Sequence, residues 1–347
     1  MGVYVRPNGA GDDQPRAVHP YTHTWPRMKI FYTAFGTEPV YRLMRDLVPD
    51  GLTLITLERD DDSERHAKIA GCEIAIQANA SFPASLVAAA PKLGLLIHQG
   101  VGYHDTVDLA ALKARGVRLA LTVEGTSESV AELTVLLILA VCRHLVYADN
   151  ELRQGRFHRH TLRPISPELT GRTIGYIGMG RIAQAAAARL KAFGTTGLYC
   201  NRSGPLAADR ERDLGIVHRS FDEVLRQADI LTLHAPLAPN APPLIDAAAL
   251  KQIKPGGILI NTARGGLVDE AALHEALASG HLLGAGLDVF AEEPVRPDHP
   301  LCKLSNVVLT PHYAGGTLDA FSRKMRSIFD NAARFLHGED LRNEVRL

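Results

Sequence analysis

Residues 173–189 read Thr173-Ile174-Gly175-Tyr176-Ile177-Gly178-Met179-Gly180-Arg181-Ile182-Ala183-Gln184-Ala185-Ala186-Ala187-Ala188-Arg189. An apolar run enters a G-x-G-x-x-A turn, and an Ala-rich helical stretch leaves it. Gly178 permits the turn, and Gly180 lets backbone come close to a pyrophosphate. Ala183 is small enough for a helix to pack tightly on a strand. The helix N-terminus then offers unpaired N–H groups to an anion. A Gly-rich turn alone says little, but one set between such a strand and such a helix reads as a dinucleotide site.

The next strand decides which dinucleotide. An NAD site normally carries Asp or Glu about 20 residues on, accepting from the ribose 2′-OH. Here the chain reads Tyr199-Cys200-Asn201-Arg202-Ser203, with no carboxylate. Arg202 can neutralise a 2′-phosphate, with Asn201 and Ser203 donating hydrogen bonds. NADP is therefore the expected cofactor and NAD the second candidate.

Outward from the turn, a βα rhythm runs in both directions. Downstream the expected strands are Gly197–Cys200, Ile230–Ala235, Gly257–Thr262, Gly284–Phe290 and Asn306–Thr310. With Thr173–Gly178 they make six, the count of a dinucleotide-binding domain. Upstream, strands are expected at Lys29–Tyr32, Leu52–Leu57, Glu73–Gln77, Leu93–His98 and Val117–Leu121. Strands alternating with helices imply a parallel sheet covered on both faces. One long apolar helix is expected from Ser127 to about Tyr147, N-capped by Thr126 or Ser127, and one amphipathic helix from Leu318 to Leu336. Residues 1–27, rich in Gly, Pro, Asp and His, read as a loosely ordered extension. The expected architecture is α/β, two doubly wound parallel-sheet domains, with a Rossmann domain (126–312) inserted into a flavodoxin-like domain (28–125 and 313–347).

Composition narrows the function classes. The 347 residues carry 38 Lys plus Arg and 38 Asp plus Glu, a formal net charge of zero. A nucleic-acid binder needs an excess of positive charge to displace phosphate counterions, so no nucleic-acid partner is expected. The longest apolar run, Leu133 to Cys142, falls far short of the ~20 residues that span a bilayer, and no membrane partner is expected. Four cysteines lie scattered without C-x-x-C spacing. They read as small core hydrophobes in a reducing compartment, hence a cytoplasmic chain. His158 and His160 stand among Arg156, Arg159 and Arg163, cations that disfavour a metal ion, so no metal site is expected.

Three segments at the ends of later strands carry ionisable groups: Asn261-Thr262-Ala263-Arg264-Gly265, Asp288-Val289-Phe290-Ala291-Glu292-Glu293-Pro294, and Thr310-Pro311-His312-Tyr313-Ala314-Gly315. Strand C-terminal ends of a doubly wound sheet share one crevice, so these segments can converge. An Arg, a carboxylate and a His there suffice for carbonyl reduction. The Arg anchors a substrate carboxylate and polarises the carbonyl, the His transfers the proton, and the acid orients the His.

At this point the chain resembles the D-isomer-specific 2-hydroxyacid dehydrogenase family, from about Leu93 to Asp319. The motifs occur in order: Gly100-Val101-Gly102-Tyr103, Ser129-Val130-Ala131-Glu132, the glycine turn, His234-Ala235-Pro236, Asn-Thr-Ala-Arg-Gly, Asp288-Val289-Phe290 with Glu293-Pro294, and Thr310-Pro311-His312. The resemblance implies that Arg264 binds substrate, helped by Gly100 and the N–H groups of Val101 and Gly102. It implies that His312 is the acid/base, paired with Glu293. Asp288 would hold the nicotinamide carboxamide, and Arg181 and Ile182 would give N–H groups to the pyrophosphate. His234, Ala235, Pro236, Thr262, Ala263 and Gly315 would complete the cofactor contacts. Glu293 stands where the family's formate dehydrogenases carry Gln, which points to 2-oxoacid reduction. Glyoxylate- or hydroxypyruvate-like substrates, and a homodimer built on the long apolar helix, are expected.

Two departures from the family pattern are visible. Val123-Glu124-Gly125-Thr126 replaces its Pro-Gly-x-Asn type turn, and Pro239-Asn240-Ala241-Pro242-Pro243 replaces its Thr-rich stretch. Two other functions fit less well. An NAD-dependent 3-phosphoglycerate dehydrogenase is disfavoured because only 35 residues follow His312, too few for the regulatory domain many of those enzymes carry. A dinucleotide-sensing corepressor is disfavoured by the neutral charge and the lack of a long disordered tail.

Overall fold

The computed structural model describes residues 27–78, 81–104, 106–238 and 240–347. All but the last residue of the expected N-terminal extension lies outside them. The chain forms two parallel-sheet α/β domains. The first sheet uses β1 (Met28–Tyr32), β2 (Leu52–Ile55), β3 (Ile74–Gln77), β4 (Leu95–His98) and β5 (Arg118–Leu121). They lie in the order 2-1-3-4-5, the flavodoxin-like winding. Helices α1 (Glu38–Arg45), α2 (Asp62–Ile69), α3 (Ala84–Ala88) and α4 (Leu109–Arg115) connect them. Ile30, Ile74, Ile76, Leu95 and Ile97 on one face form a core with the C-terminal helix. Each such side chain taken fully out of water contributes roughly 1.5–3 kcal/mol.

The second sheet holds seven strands: β6 (Thr173–Ile177), β7 (Thr196–Cys200), β8 (Ile216–His218), β9 (Ile230–Leu233), β10 (Gly257–Asn261), β11 (Leu282–Leu287) and β12 (Val307–Leu309). Their order is 12-11-10-9-6-7-8, all parallel. The sequence reading finds six and misses β8, which has three residues and shows neither an apolar run nor alternation. Helices α5 (Thr126–Cys142), α6 (Leu145–Arg153), α7 (Arg181–Lys191), α8 (Ala208–Leu214), α9 (Phe221–Gln227), α10 (Ala247–Gln252) and α11 (Glu270–Ala278) belong to this half.

The long helix expected from Ser127 to Tyr147 is broken. His144 takes a left-handed φ of 49°, and α5 and α6 meet at 60°. Neither Gly nor Pro marks the break; only Arg143 and His144 interrupt the apolar sequence, and two polar residues are too few to end a helical pattern. The expected Thr or Ser cap is also absent: Gly125, in left-handed backbone, occupies the cap position without a side-chain bond. No single helix among the described residues is long and apolar enough to cross a membrane.

After β12 the chain returns to the first sheet. Helix α12 (Leu318–Leu336) opens on Thr317, whose side chain accepts from the Ala320 N–H. Met325, Ile328, Phe329, Ala332 and Leu336 join the core beside β1, β3 and β4. Strand β13 (Glu344–Val345) pairs antiparallel with β5, a contact hidden in what reads as a tail. The Rossmann sheet is thus inserted into the flavodoxin-like one.

Candidate active site

The strand order turns sequence-distant motifs into neighbours. Across the C-terminal edge of the second sheet stand, in order, His312 after β12, Asp288 after β11, Arg264 after β10, His234 after β9, Gly178 after β6 and Asn201 after β7. The winding reverses between β9 and β6, the place where doubly wound sheets open a ligand crevice.

At that reversal Gly178 has φ +90° and lies against its neighbour. A Cβ there would fall 2.9 Å from the Ala235 N and the His234 carbonyl carbon. Only glycine fits. Gly180 is the opposite case, since a Cβ on it would meet nothing within 4 Å. Its backbone faces open space at the start of α7, where no side chain caps the helix. The turn fits a dinucleotide's pyrophosphate: it combines open backbone with the unpaired N–H groups of a helix start.

His234 is half-buried in this wall. Its Nε2 lies 3.0 Å from Thr232 Oγ1, and its ring stacks on Tyr176. Burial pushes the imidazole down to about 4, so it is neutral at physiological pH. After β7, the Asn201 Nδ2 donates to Ser203 Oγ at 2.7 Å, so part of the expected donor set bonds internally. Arg202 is exposed beside them.

Arg264 follows β10 and is held by its own motif. Asn261, 1% exposed, donates Nδ2–H to the Arg264 carbonyl at 2.9 Å and accepts from the Ala263 N–H at 3.0 Å. Thr262 Oγ1 lies 3.1 Å from Thr134 Oγ1 of α5. The guanidinium donates Nη1–H to the Ala263 carbonyl at 2.8 Å and Nη2–H to the Gly102 carbonyl at 3.4 Å. That second bond links segments 162 residues apart. A Cβ on Gly102 would sit 1.9 Å from Nη2, so any other residue there would push the guanidinium aside. The N–H groups of Val101 and Gly102 have no partner among the described residues.

His312 and Glu293 meet. Nδ1 of His312 lies 2.6 Å from Oε2 of Glu293, while Oε1 accepts from the Phe290 N–H at 2.9 Å. The His312 side chain is half exposed. With Nδ1 engaged, Nε2 is the free end of the ring. Arg264 and His312 reach one edge from β10 and β12, which flank β11, and the Asp288 N–H after β11 donates to the Asn261 carbonyl between them.

Asp288 is wholly buried, and burial raises its carboxyl above the ordinary range. Its oxygens hold the next segment: Oδ1 accepts from Thr310 Oγ1 at 2.6 Å and from the Tyr313 N–H at 3.1 Å, and Oδ2 from the Ala314 N–H at 3.0 Å. In this structure it fixes the turn after His312. The Ala314 carbonyl is held in turn by Ser129 Oγ. Lys324 of α12 donates Nζ–H to the Gly315 carbonyl at 3.1 Å. The sequence assigns no role to Asn261, Ser129 or Lys324, although a lysine inside the apolar stripe of α12 is a visible anomaly.

Comparison with known proteins identifies the family. The profile of "D-isomer specific 2-hydroxyacid dehydrogenase, NAD binding domain" matches residues 135–314, and the chain belongs to that family. At the level of the family the chemistry is NAD-dependent 2-hydroxyacid dehydrogenation. A glyoxylate reductase of Korarchaeum cryptofilum is 37% identical over 258 residues, 74% of this chain and 77% of that protein. A D-3-phosphoglycerate dehydrogenase of Mycobacterium leprae is 41% identical over 264 residues, 76% of this chain but only 49% of its own length. The chain thus spans about half of that relative. A crystal structure of a putative D-isomer specific 2-hydroxyacid dehydrogenase from Polaromonas superposes with a TM-score of 0.83. It is 29% identical, and the match covers 92% of this chain and all of the other.

Proposed function

We propose that this protein reduces a small 2-oxoacid to the D-2-hydroxyacid, with glyoxylate- or hydroxypyruvate-like compounds as substrates and NADPH preferred over NADH. The observation that carries the reading is the His312–Glu293 pair on the strand edge shared with Arg264. The bound dinucleotide supplies the hydride that C2 accepts. Arg264 holds the substrate carboxylate and draws charge from the carbonyl, with the N–H groups of Val101 and Gly102 as additional donors. His312 Nε2 gives the proton to the forming alkoxide, and Glu293 stabilises the imidazolium and fixes the ring. Gly178, Gly180, Arg181 and Ile182 hold the pyrophosphate, while His234, Ala235, Pro236, Thr262, Ala263 and Gly315 line the cofactor. Asp288 contributes through the 313–315 turn.

The cofactor preference rests on the turn after β7. Arg202 is exposed and Asn201-Arg202-Ser203-Gly204 contains no acid, so a 2′-phosphate meets a cation and no repulsion. The cleft lies between a substrate domain (28–125 and 313–347) and a dinucleotide domain (126–312). The free cysteines, two of them buried, fit a reducing cytoplasm. Leu136, Leu145, Leu152 and Ile165 are exposed, and Phe157 is 75% exposed. These apolar groups on α5, α6 and the following segment fit a homodimer, and a Phe157→Asp variant sedimenting as a monomer is the check.

The test is a panel of 2-oxoacids against both reduced cofactors, with the His312→Ala variant alongside. Reduction of a short 2-oxoacid that disappears in the variant while cofactor binding persists supports the reading. A protein that binds cofactor and reduces nothing favours a sensing role instead.

A further inference from the structure

The turn that follows His312 is clamped from three sides. Asp288 takes the N–H groups of Tyr313 and Ala314, Ser129 takes the Ala314 carbonyl, and Lys324 takes the Gly315 carbonyl. The Gly316 N–H turns back to the Tyr313 carbonyl. Of the main-chain donors at 313–316, only the Gly315 N–H has no partner among the described residues. In a trans peptide this N–H points opposite to the Ala314 carbonyl, hence away from α5. On the α5 side Thr126 packs against this glycine, its Cγ2 3.9 Å from where a Gly315 Cβ would stand. A main-chain N–H left open in an otherwise fully bonded turn is a donor available to a ligand.

The clamp formed by Lys324 is chemically odd. The side chain is 7% exposed and lies on the core-facing stripe of α12, three residues after Phe321 and one before Met325. Among the described residues no carboxylate comes within ion-pair distance of it. Burial alone pulls its ammonium below the usual lysine range. An apolar residue would fill this position at lower cost, and a neutral donor would hold the Gly315 carbonyl equally well. What the lysine adds is a buried positive charge behind the turn.

We infer that Lys324 is a positioning residue that biases the dinucleotide site toward the reduced cofactor, by holding Gly315 and by placing a positive charge behind the nicotinamide end of the cleft. This rests on the proposed function, in which Gly315 borders the cofactor. An oxidised nicotinamide ring carries one more positive charge than a reduced one. A cation in a region of low dielectric therefore opposes the oxidised form and leaves the reduced form untouched. The site then favours loading with reduced cofactor and release of oxidised cofactor, which is the order that 2-oxoacid reduction needs.

The experiment measures dissociation constants of oxidised and reduced cofactor separately, by calorimetry and nucleotide fluorescence, in the unaltered protein and in Lys324→Met and Lys324→Arg. Melting curves check that each variant folds. The ratio of oxidised to reduced dissociation constants should fall by roughly three- to tenfold in Lys324→Met, the size of one partly screened unit charge. Lys324→Arg should keep the ratio within about twofold of the unaltered protein. An unchanged ratio in Lys324→Met, including a case where both affinities weaken together, overturns the inference and leaves Lys324 a structural clamp. If Lys324→Met does not fold, Lys324→Gln, which keeps a donor without the charge, decides by the same ratio. Failure of the unaltered protein to bind either cofactor would instead refute the proposed function on which the inference stands.

Discussion

Nδ1 of His312 and Oε2 of Glu293 stand 2.6 Å apart, joined across 19 residues of sequence by the ends of two adjacent strands. The other glutamate oxygen is anchored by the Phe290 N–H, so the carboxylate is fixed before it meets the ring. Replacing Glu293 by Gln preserves size and the anchoring acceptor but removes the charge opposite the imidazole. The expected result is a fall in kcat of about ten- to a hundredfold with little change in KM for cofactor. A steady-state comparison of the two proteins checks it, and an equal loss in cofactor KM would mean that the residue acts on binding.

Arg202 stands exposed after β7 in a turn without acids. Its change to Ala should lower kcat/KM for NADPH by about tenfold or more and leave NADH within about threefold. Parallel assays with the two cofactors measure this. Equal losses would remove the stated basis for the NADPH preference.

His234 gives the protein a specific acid weakness. Its folded value is about 4, against an ordinary 6.5. Below about pH 6.5 the unfolded chain takes up a proton that the folded chain refuses. Stability therefore declines as pH falls from 6.5 toward 4, by up to about 3 kcal/mol, and is unaffected above 6.5. A His234→Asn variant should show a flatter melting temperature across that window. Parallel pH profiles for the two proteins would assign the acid weakness elsewhere.

Much of this molecule is legible in its sequence, for identifiable reasons. Buried parallel strands such as Ile230–Leu233 and Gly257–Asn261 are continuous apolar runs, and Gly178 and Gly180 mark the turn between a strand and a helix. What escapes is whatever depends on tertiary partners. β8 is three residues long, and β13 exists only because β5 offers an open edge. The break at His144 carries neither Gly nor Pro, only the polar pair Arg143-His144 between apolar stretches. At the site, the residue types at Arg264, Glu293 and His312 can be read from their motifs, but their supports cannot. Asn261 under Arg264, Ser129 under Ala314 and Asp288 under Tyr313 are hydrogen bonds between segments that only folding brings together. Lys324 is the intermediate case, because a cation in an amphipathic stripe is visible as an exception while its partner is not.

The most direct test of the central claim follows one atom. Reduced cofactor carrying deuterium at nicotinamide C4, on the face that transfers hydride, is mixed with the protein and the best short 2-oxoacid of the panel. The product is then analysed by chiral chromatography and mass spectrometry. The account requires one deuterium at C2 of the D-2-hydroxyacid, in equal amount to the cofactor oxidised. Cofactor oxidation with no label at C2, or product of the opposite hand, would contradict it.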